Sequence, residues 1–306
     1  MIFVKLFTLG FLSGLMLLSG CTTFQRLSHV YSEAAPQPIS YVHADGEKSI
    51  YYTFDIGREG SDTLLFFYGG SGCASWKSVM PNYINGFSSD AKVFVLNKRY
   101  VQDRSLGVFD CGDKFHSSNN LKQWVSDYLS FIDAKVNESP VIPKNVILVG
   151  VSEGALVAVK VAAQSERVTH LAVIGSGGWS MRESLNKLYE KGVFPVDIQS
   201  EWEEVVKDSR SIEKKKYGHP YRWWSDIMDH TPIDDYLKLE IPILVGMGEN
   251  DQSVPFESAE YLASRFRDEG KSNMKVNIYP NADHRLNSSS GSYRDEFFSE
   301  LADSVK

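Results

Sequence analysis

Cysteine is scarce in this chain, with 3 in 306 residues. That excludes a small fold stapled by a dense disulfide framework. Positive charge is short as well: Lys+Arg number 32 against 39 for Asp+Glu, a formal net charge of -7. Sequence-independent nucleic-acid binding needs a cationic surface, so no nucleic-acid partner is expected. The one basic run, Lys214-Lys215-Lys216, lies among acidic neighbours and reads as a solvated helix face or loop. H-E-x-x-H and C-x-x-C ligand patterns are missing, and so is the G-x-x-x-x-G-K-[ST] phosphate loop. Neither a metal nor a cofactor is expected. Internal repeats and long low-complexity runs are absent too. What remains is ordinary: 42% hydrophobic and 23% charged residues exclude a mainly disordered chain, a collagen-like repeat and a multi-span membrane protein. The length would allow two domains, although α/β folds of this size are often one. It suffices to bury a large core without staples.

Residues 1–20 carry one charge, Lys5, and then an apolar stretch from Leu6 to Leu18. That stretch is too short to span a bilayer comfortably, but it suits the core of a signal peptide. It ends Leu18-Ser19-Gly20-Cys21, which resembles the lipobox of bacterial lipoproteins. The resemblance implies removal of residues 1–20, acylation of Cys21 and an extracytoplasmic protein held to a membrane by lipid. Thr22 resembles outer-membrane sorting, so in a host with two membranes the protein would face the periplasm from the outer one. Two or three acyl chains anchor stably where one does not. Loss of Lys5 takes the mature side-chain charge to about -8. Residues 21–45 are polar, contain Pro36 and Pro38, and read as a lipidated tether that becomes the first strand. Cys73 and Cys111 remain. An oxidising compartment permits a bridge between them; two separate buried thiols are the alternative.

Short apolar runs recur beyond the tether: 63–68, 93–96, 146–149, 171–174, 241–245 and 276–279. Most are apolar on both faces, as parallel strands covered by helices on each side must be. Helical stripes lie between them. Leu121, Trp124, Val125, Tyr128, Leu129 and Ile132 make one; Phe256, Ala259, Leu262 and Phe266 another; Tyr293, Phe297 and Leu301 a third. Residues 153–163 are apolar nearly all round and read as a central helix. The alternation predicts a doubly wound, mostly parallel α/β sheet with right-handed crossovers. Residues 177–238 interrupt it with charged and aromatic sequence and no buried strand, which reads as an inserted helical cap. The core is then expected at 46–176 and 239–306.

The chemistry concentrates at strand ends. Gly150-Val151-Ser152-Glu153-Gly154 is a G-x-S-x-G between an apolar strand and an apolar helix, the setting of a nucleophile elbow. A serine hydroxyl needs a base, oriented by an acid. Of seven histidines, His284 alone sits after the last expected strand and before the last helix, where it can reach the elbow. Glu249 and Asp251 both follow the strand at 241–248, and Asp251 is favoured by its place before Val254-Pro255. Asp283 is too close in sequence to face the edge of the imidazole. The N–H of Glu153 supplies one oxyanion donor in this geometry. The glycine-rich Tyr68-Gly69-Gly70-Ser71-Gly72 supplies a second from Gly70, with Ser71 as fallback.

This constellation resembles the α/β-hydrolase superfamily in its elbow, acid loop, base, oxyanion loop and Ser–Asp–His order, over about residues 46–306. The Ser152-Glu153-Gly154 elbow is similar to that of bacterial hydrolases described as esterases. Tyr68 departs from the His that many members carry before the oxyanion glycine. The resemblance implies acyl transfer to water without a cofactor, with an ester as the expected small-molecule substrate. A serine peptidase or amidase acting on small peptides is the alternative enzyme, and a noncatalytic envelope lipoprotein the alternative of another class. Trp223 and Trp224 would wall an acyl pocket, or else pack cap on core, and Arg222 would meet a carboxylate. Oligomeric state is not legible.

Overall fold

Apolar residues on both faces of a strand demand cover on both faces, and the fold supplies it. The computed structural model describes residues 35–107 and 111–306. The expected signal segment, Cys21 and most of the expected tether lie outside the described residues. Eight strands form one sheet: β1 (Ile39–Val42), β2 (Lys48–Ile56), β3 (Thr63–Tyr68), β4 (Ala91–Leu96), β5 (Asn145–Val151), β6 (His170–Ile174), β9 (Ile243–Gly248) and β10 (Met274–Tyr279). A two-residue hairpin, β7 (Lys215–Lys216) with β8 (His219–Pro220), lies between β6 and β9; another, β11 (Asn287–Ser288) with β12 (Gly291–Ser292), follows β10. The order across the sheet is β1-β2-β4-β3-β5-β6-β9-β10. From β4 to β10 every pairing is parallel, whereas β1 and β2 join antiparallel at one edge. All six apolar runs are strands. The tether does become a strand within 21–45, at β1, so the sheet starts before the expected core boundary at residue 46.

Strand alternation divides the core. Leu64, Phe66 and Tyr68 of β3 enter one apolar cluster, while Leu65 and Phe67 enter the other. The first cluster is covered by helices Leu121–Asn137, Glu153–Ala162 and Glu257–Asp268, the second by Met80–Tyr83 and Arg294–Ser304. This is the doubly wound α/β architecture. Helix Leu121–Asn137 starts where the Asn120 side chain accepts from Gln123 N at 2.9 Å, a standard N-cap. Its Phe131 is fully buried against Tyr41, Tyr51, Phe66 and Phe94, with ring centroids 5.0–6.1 Å away.

The insertion between β6 and β9 holds helices Met181–Glu190, Ile198–Lys207, Tyr221–Ile227 and Pro232–Tyr236. Leu185, Leu188, Ile198, Val205, Trp223, Trp224 and Ile227 bury one another there, giving the segment its own small core. Ile233 and Tyr236 belong instead to the main core. The lysine run lies in and beside the hairpin rather than on a helix face. Lys216 pairs with Glu201 and Glu204, and Lys214 with Asp208. Among the described residues no helix is long and apolar enough to cross a membrane. Cys73 and Cys111 are joined in a disulfide, with Cα atoms 5.7 Å apart, which ties the glycine-rich loop after β3 to the chain before helix Asp113–Ser118.

Phe131→Ala removes the ring on which five aromatic side chains converge, Tyr128 of its own helix included. We expect a loss of about 3–5 kcal/mol in chemical denaturation, with the midpoint falling at an unchanged slope.

Candidate active site

β5 ends at Val151 and the next helix begins at Glu153, so Ser152 alone makes the turn. Its backbone sits at φ 56 and ψ -124. A non-glycine residue there costs roughly 1–3 kcal/mol and persists only where the surroundings hold it. They do so here: Ser152 N donates to Ile174 O at 2.9 Å, and Ala155 N to Ser152 O at 2.9 Å. The helix start is pressed onto the end of β3. A Cβ on Gly154 would lie 2.3 Å from Gly69 O and 2.4 Å from Tyr68 O, which no side chain survives.

The expected oxyanion loop lies beside the serine. A Cβ on Gly70 would stand 3.4 Å from Ser152 Cβ and 3.9 Å from its Oγ. Glu153 opens the helix, so its N–H is among those without an intrahelical partner and at the positive end of the helix dipole. Tyr68 explains its own departure from the family pattern. Its ring is fully buried and stacks on Tyr128 at 3.8 Å, in the core beneath the loop. Burial pushes its hydroxyl pKa well above the ordinary value. The loop's backbone donors do not depend on that side chain.

The base and acid meet. His284 Nδ1 lies 2.7 Å from Asp251 Oδ2. Asp251 Oδ1 accepts from Ser253 N at 2.7 Å and Val254 N at 2.9 Å, so the turn that this aspartate caps also fixes it. An ionised carboxylate can only accept, so the bond is donated by Nδ1–H and leaves Nε2 as the acceptor of a neutral imidazole. The rival carboxylates are engaged elsewhere: Glu249 Oε2 accepts from Asn281 N, and Asp283 Oδ1 from the amides of Arg285 and Asn287. Ser152, His284, Gly70 and Ser71 line one cavity of about 500 Å³. The other described histidines lie outside its lining.

Two contributors escaped the sequence reading. Gly175, at φ 67 after β6, gives His284 its room: a Cβ there would lie 2.7 Å from Cε1 and 2.9 Å from Nδ1. The strand-end glycine was visible, but nothing in the sequence pairs it with a loop over 100 residues away. The second is a buried tie behind the elbow. Glu153 Oε2 accepts from Lys98 Nζ at 2.9 Å, and Oε1 from Trp223 Nε1 at 2.8 Å. Lys98 also lies over the Trp124 ring at 4.0 Å. Burial lowers the Lys98 pKa, and Glu153 opposes that shift. The residue after the nucleophile therefore joins the chain just beyond β4, the elbow and the cap.

The expected substrate wall is corrected by that same tie. Trp223 and Trp224 are 4% and 6% exposed, and the Trp224 indole donates to Lys216 O. Neither they nor Arg222 line the cavity at Ser152. Tryptophan N–H groups that find buried acceptors pack inward, so these rings hold the cap together and onto the elbow. Trp76, Val79, Tyr83 and Leu106 supply the apolar lining instead.

His219 stacks on Trp223 at 3.8 Å. Burial pushes its pKa down to about 4, with Glu153 opposing and Lys98 and His116 adding to the fall. An unfolded chain takes up this proton near pH 6.5, so folded stability is full above that and is lost towards pH 4. We expect His219→Phe, which keeps the stacking, to lose less of its thermal midpoint over that window than the natural chain. An equal loss in both proteins would show that another group governs the window.

Comparison with known proteins gives two results. The model of the prolyl oligopeptidase family, Peptidase_S9, matches residues 100–302. No curated protein matches the chain. Among solved structures, Est1E from Butyrivibrio proteoclasticus is similar at 12% identity and TM-score 0.58, over 88% of this chain and 98% of that one. An esterase of Pyrococcus furiosus gives 13% and 0.58, over 88% and 89%. A puromycin-hydrolyzing peptidase of Mycobacterium tuberculosis gives 15% and 0.56, over 87% of this chain and 38% of its own. At such identities these structures speak for the α/β-hydrolase fold alone. The family match reaches further, because it spans about two-thirds of the sequence and takes in the elbow, the acid loop and the base; this chain belongs to the prolyl oligopeptidase family.

Proposed function

We propose that the protein is a serine hydrolase that cleaves a carboxylic ester through an acyl-enzyme on Ser152. The observation that carries this reading is the 2.7 Å bond from His284 to Asp251, made in the cavity that also holds the strained Ser152. His284 Nε2 takes the Ser152 proton as Oγ attacks the carbonyl carbon. The amides of Glu153 and Gly70 hold the resulting oxyanion, and Asp251 stabilises the imidazolium. Collapse breaks the bond to the leaving alkoxide, which takes the proton from His284. Water, deprotonated by the same imidazole, then releases the acid and restores Ser152.

An ester is favoured over a peptide by the cavity's charge. No carboxylate of the described residues lines it, so nothing there meets the free ammonium end of a peptide. The family description favours the second reading, a serine peptidase or amidase. We further propose that the enzyme is lipidated on Cys21 and faces an extracytoplasmic space. The signal-like segment supports this, and so does a disulfide of the kind that oxidising compartments allow.

Labelling with a fluorophosphonate should put one adduct on Ser152, absent from Ser152→Ala and slowed by roughly 10³-fold or more in His284→Ala. Labelling of a different serine would overturn the assignment. Matched acyl esters and amides should separate the readings, with esters turned over and amides not. Faster cleavage of the amide would favour the peptidase. The N-terminal peptide of the protein isolated from membranes should begin at Cys21 and carry acyl mass. An unmodified cysteine there would remove the anchor from the proposal.

A further inference from the structure

The cavity that holds Ser152 has a polarity opposite to that of the whole chain. The chain carries a net charge of -7, yet the lining contains Arg285 and Arg294 and no aspartate or glutamate. Arg58, Arg99 and Arg182 each pair with an aspartate, but among the described residues neither cavity arginine has a carboxylate partner. Asp283, the nearest acid to Arg285 in sequence, feels that arginine's charge but gives its oxygens to the amides of Arg285 and Asn287 and to the Asn287 side chain.

Arg294 is held in place rather than free to wander. Its Nη1 donates to Arg285 O at 2.8 Å and Asn287 Oδ1 at 2.7 Å, and its guanidinium lies 4.9 Å from the Tyr83 ring centre. Nε is buried without a hydrogen-bond partner among the described residues, as is the Tyr83 hydroxyl. With both Nη1 hydrogens engaged and Nε buried, Nη2 is the guanidinium nitrogen left to Arg294 for an anion, and the residue lines the cavity that holds the nucleophile.

We propose that Arg285 and Arg294 are specificity-determining residues that select a substrate bearing a carboxylate away from the scissile carbonyl. The inference rests on the hydrolase reading of Ser152 and adds the substrate class. The substrate then has an apolar body, accommodated by Trp76, Val79 and Leu106, and an anionic end met by the arginines.

The test compares two matched pairs on the purified protein. p-Nitrophenyl butyrate and p-nitrophenyl hydrogen glutarate place the carboxylate on the acyl side; phenyl acetate and 4-acetoxybenzoate place it on the leaving group. In one pair or both, kcat/KM should favour the anionic ester by at least about tenfold, falling as salt rises. The double variant Arg285→Gln/Arg294→Gln should cut that ratio by about tenfold or more, and Arg285→Lys/Arg294→Lys should restore part of it. Circular dichroism and thermal midpoints of the variants check that they fold. A preference for the neutral ester in both pairs, or a ratio unmoved in the glutamine variant, would overturn the proposal while leaving the hydrolase reading intact. If Ser152 takes no fluorophosphonate and no ester is cleaved, the hydrolase reading fails instead. Calorimetry of Ser152→Ala with glutarate against butyramide then decides the anion site. Glutarate binding that the arginine-to-glutamine changes abolish would keep it, and no binding would end it.

Discussion

One residue of chain separates a buried strand from a buried helix at Ser152, and the site is arranged around that shortage. The turn can close only with the serine at positive φ and with Gly154 against the carbonyls of Tyr68 and Gly69. That contact brings the loop after β3 alongside the nucleophile. The strain of about 1–3 kcal/mol is a local cost set against a large apolar core. Strands β3, β5 and β6, nearly all buried, hold the turn from below.

Around the elbow the protein places two kinds of charge with different duties. Glu153 and Lys98 form a buried pair whose partners are fixed, with indole rings on each side of it. Such a pair contributes little net stability, but removing one member leaves a buried charge uncompensated. Its role is geometric: it sets the cap's Trp223 against the first turn of the helix behind the nucleophile. Asp251 and His284 form the working pair. The carboxylate is anchored by two backbone amides, and the imidazole lies against Gly175. An imidazole hydrogen-bonded to Asp251 and packed against Gly175 is held in one orientation beside the cavity that it lines with Ser152.

The cap joins the enzyme differently from the way its aromatic composition suggests. Trp223 and Trp224 read as pocket wall, yet each indole N–H donates within the protein, to Glu153 and to Lys216 O, and both rings are buried. The arginine expected to meet a carboxylate, Arg222, is outside the cavity. Arg285 and Arg294, on the loop that carries the base and at the start of the helix after it, are inside. Sequence distance hid this, since proximity to the nucleophile is a property of the folded loop.

The sequence by itself determined the alternation of strands and helices and the doubly wound sheet, and it singled out Ser152, Asp251 and His284 as candidates. Those follow from local rules: an apolar run must be buried, and a G-x-S-x-G between strand and helix has one tight geometry. Its apolar runs left out the two antiparallel strands at one edge, because Ile39–Val42 is mostly exposed and Lys48–Ile56 is broken by polar residues, although the tether reads as leading into a first strand. Nor did the sequence reveal the Lys98–Glu153–Trp223 tie, the room that Gly175 makes for His284, or which arginines face the cavity. Each of these joins residues far apart in the chain. Only tertiary packing decides such pairs, because a side chain's partner is set by where whole elements stack and not by its neighbours in sequence.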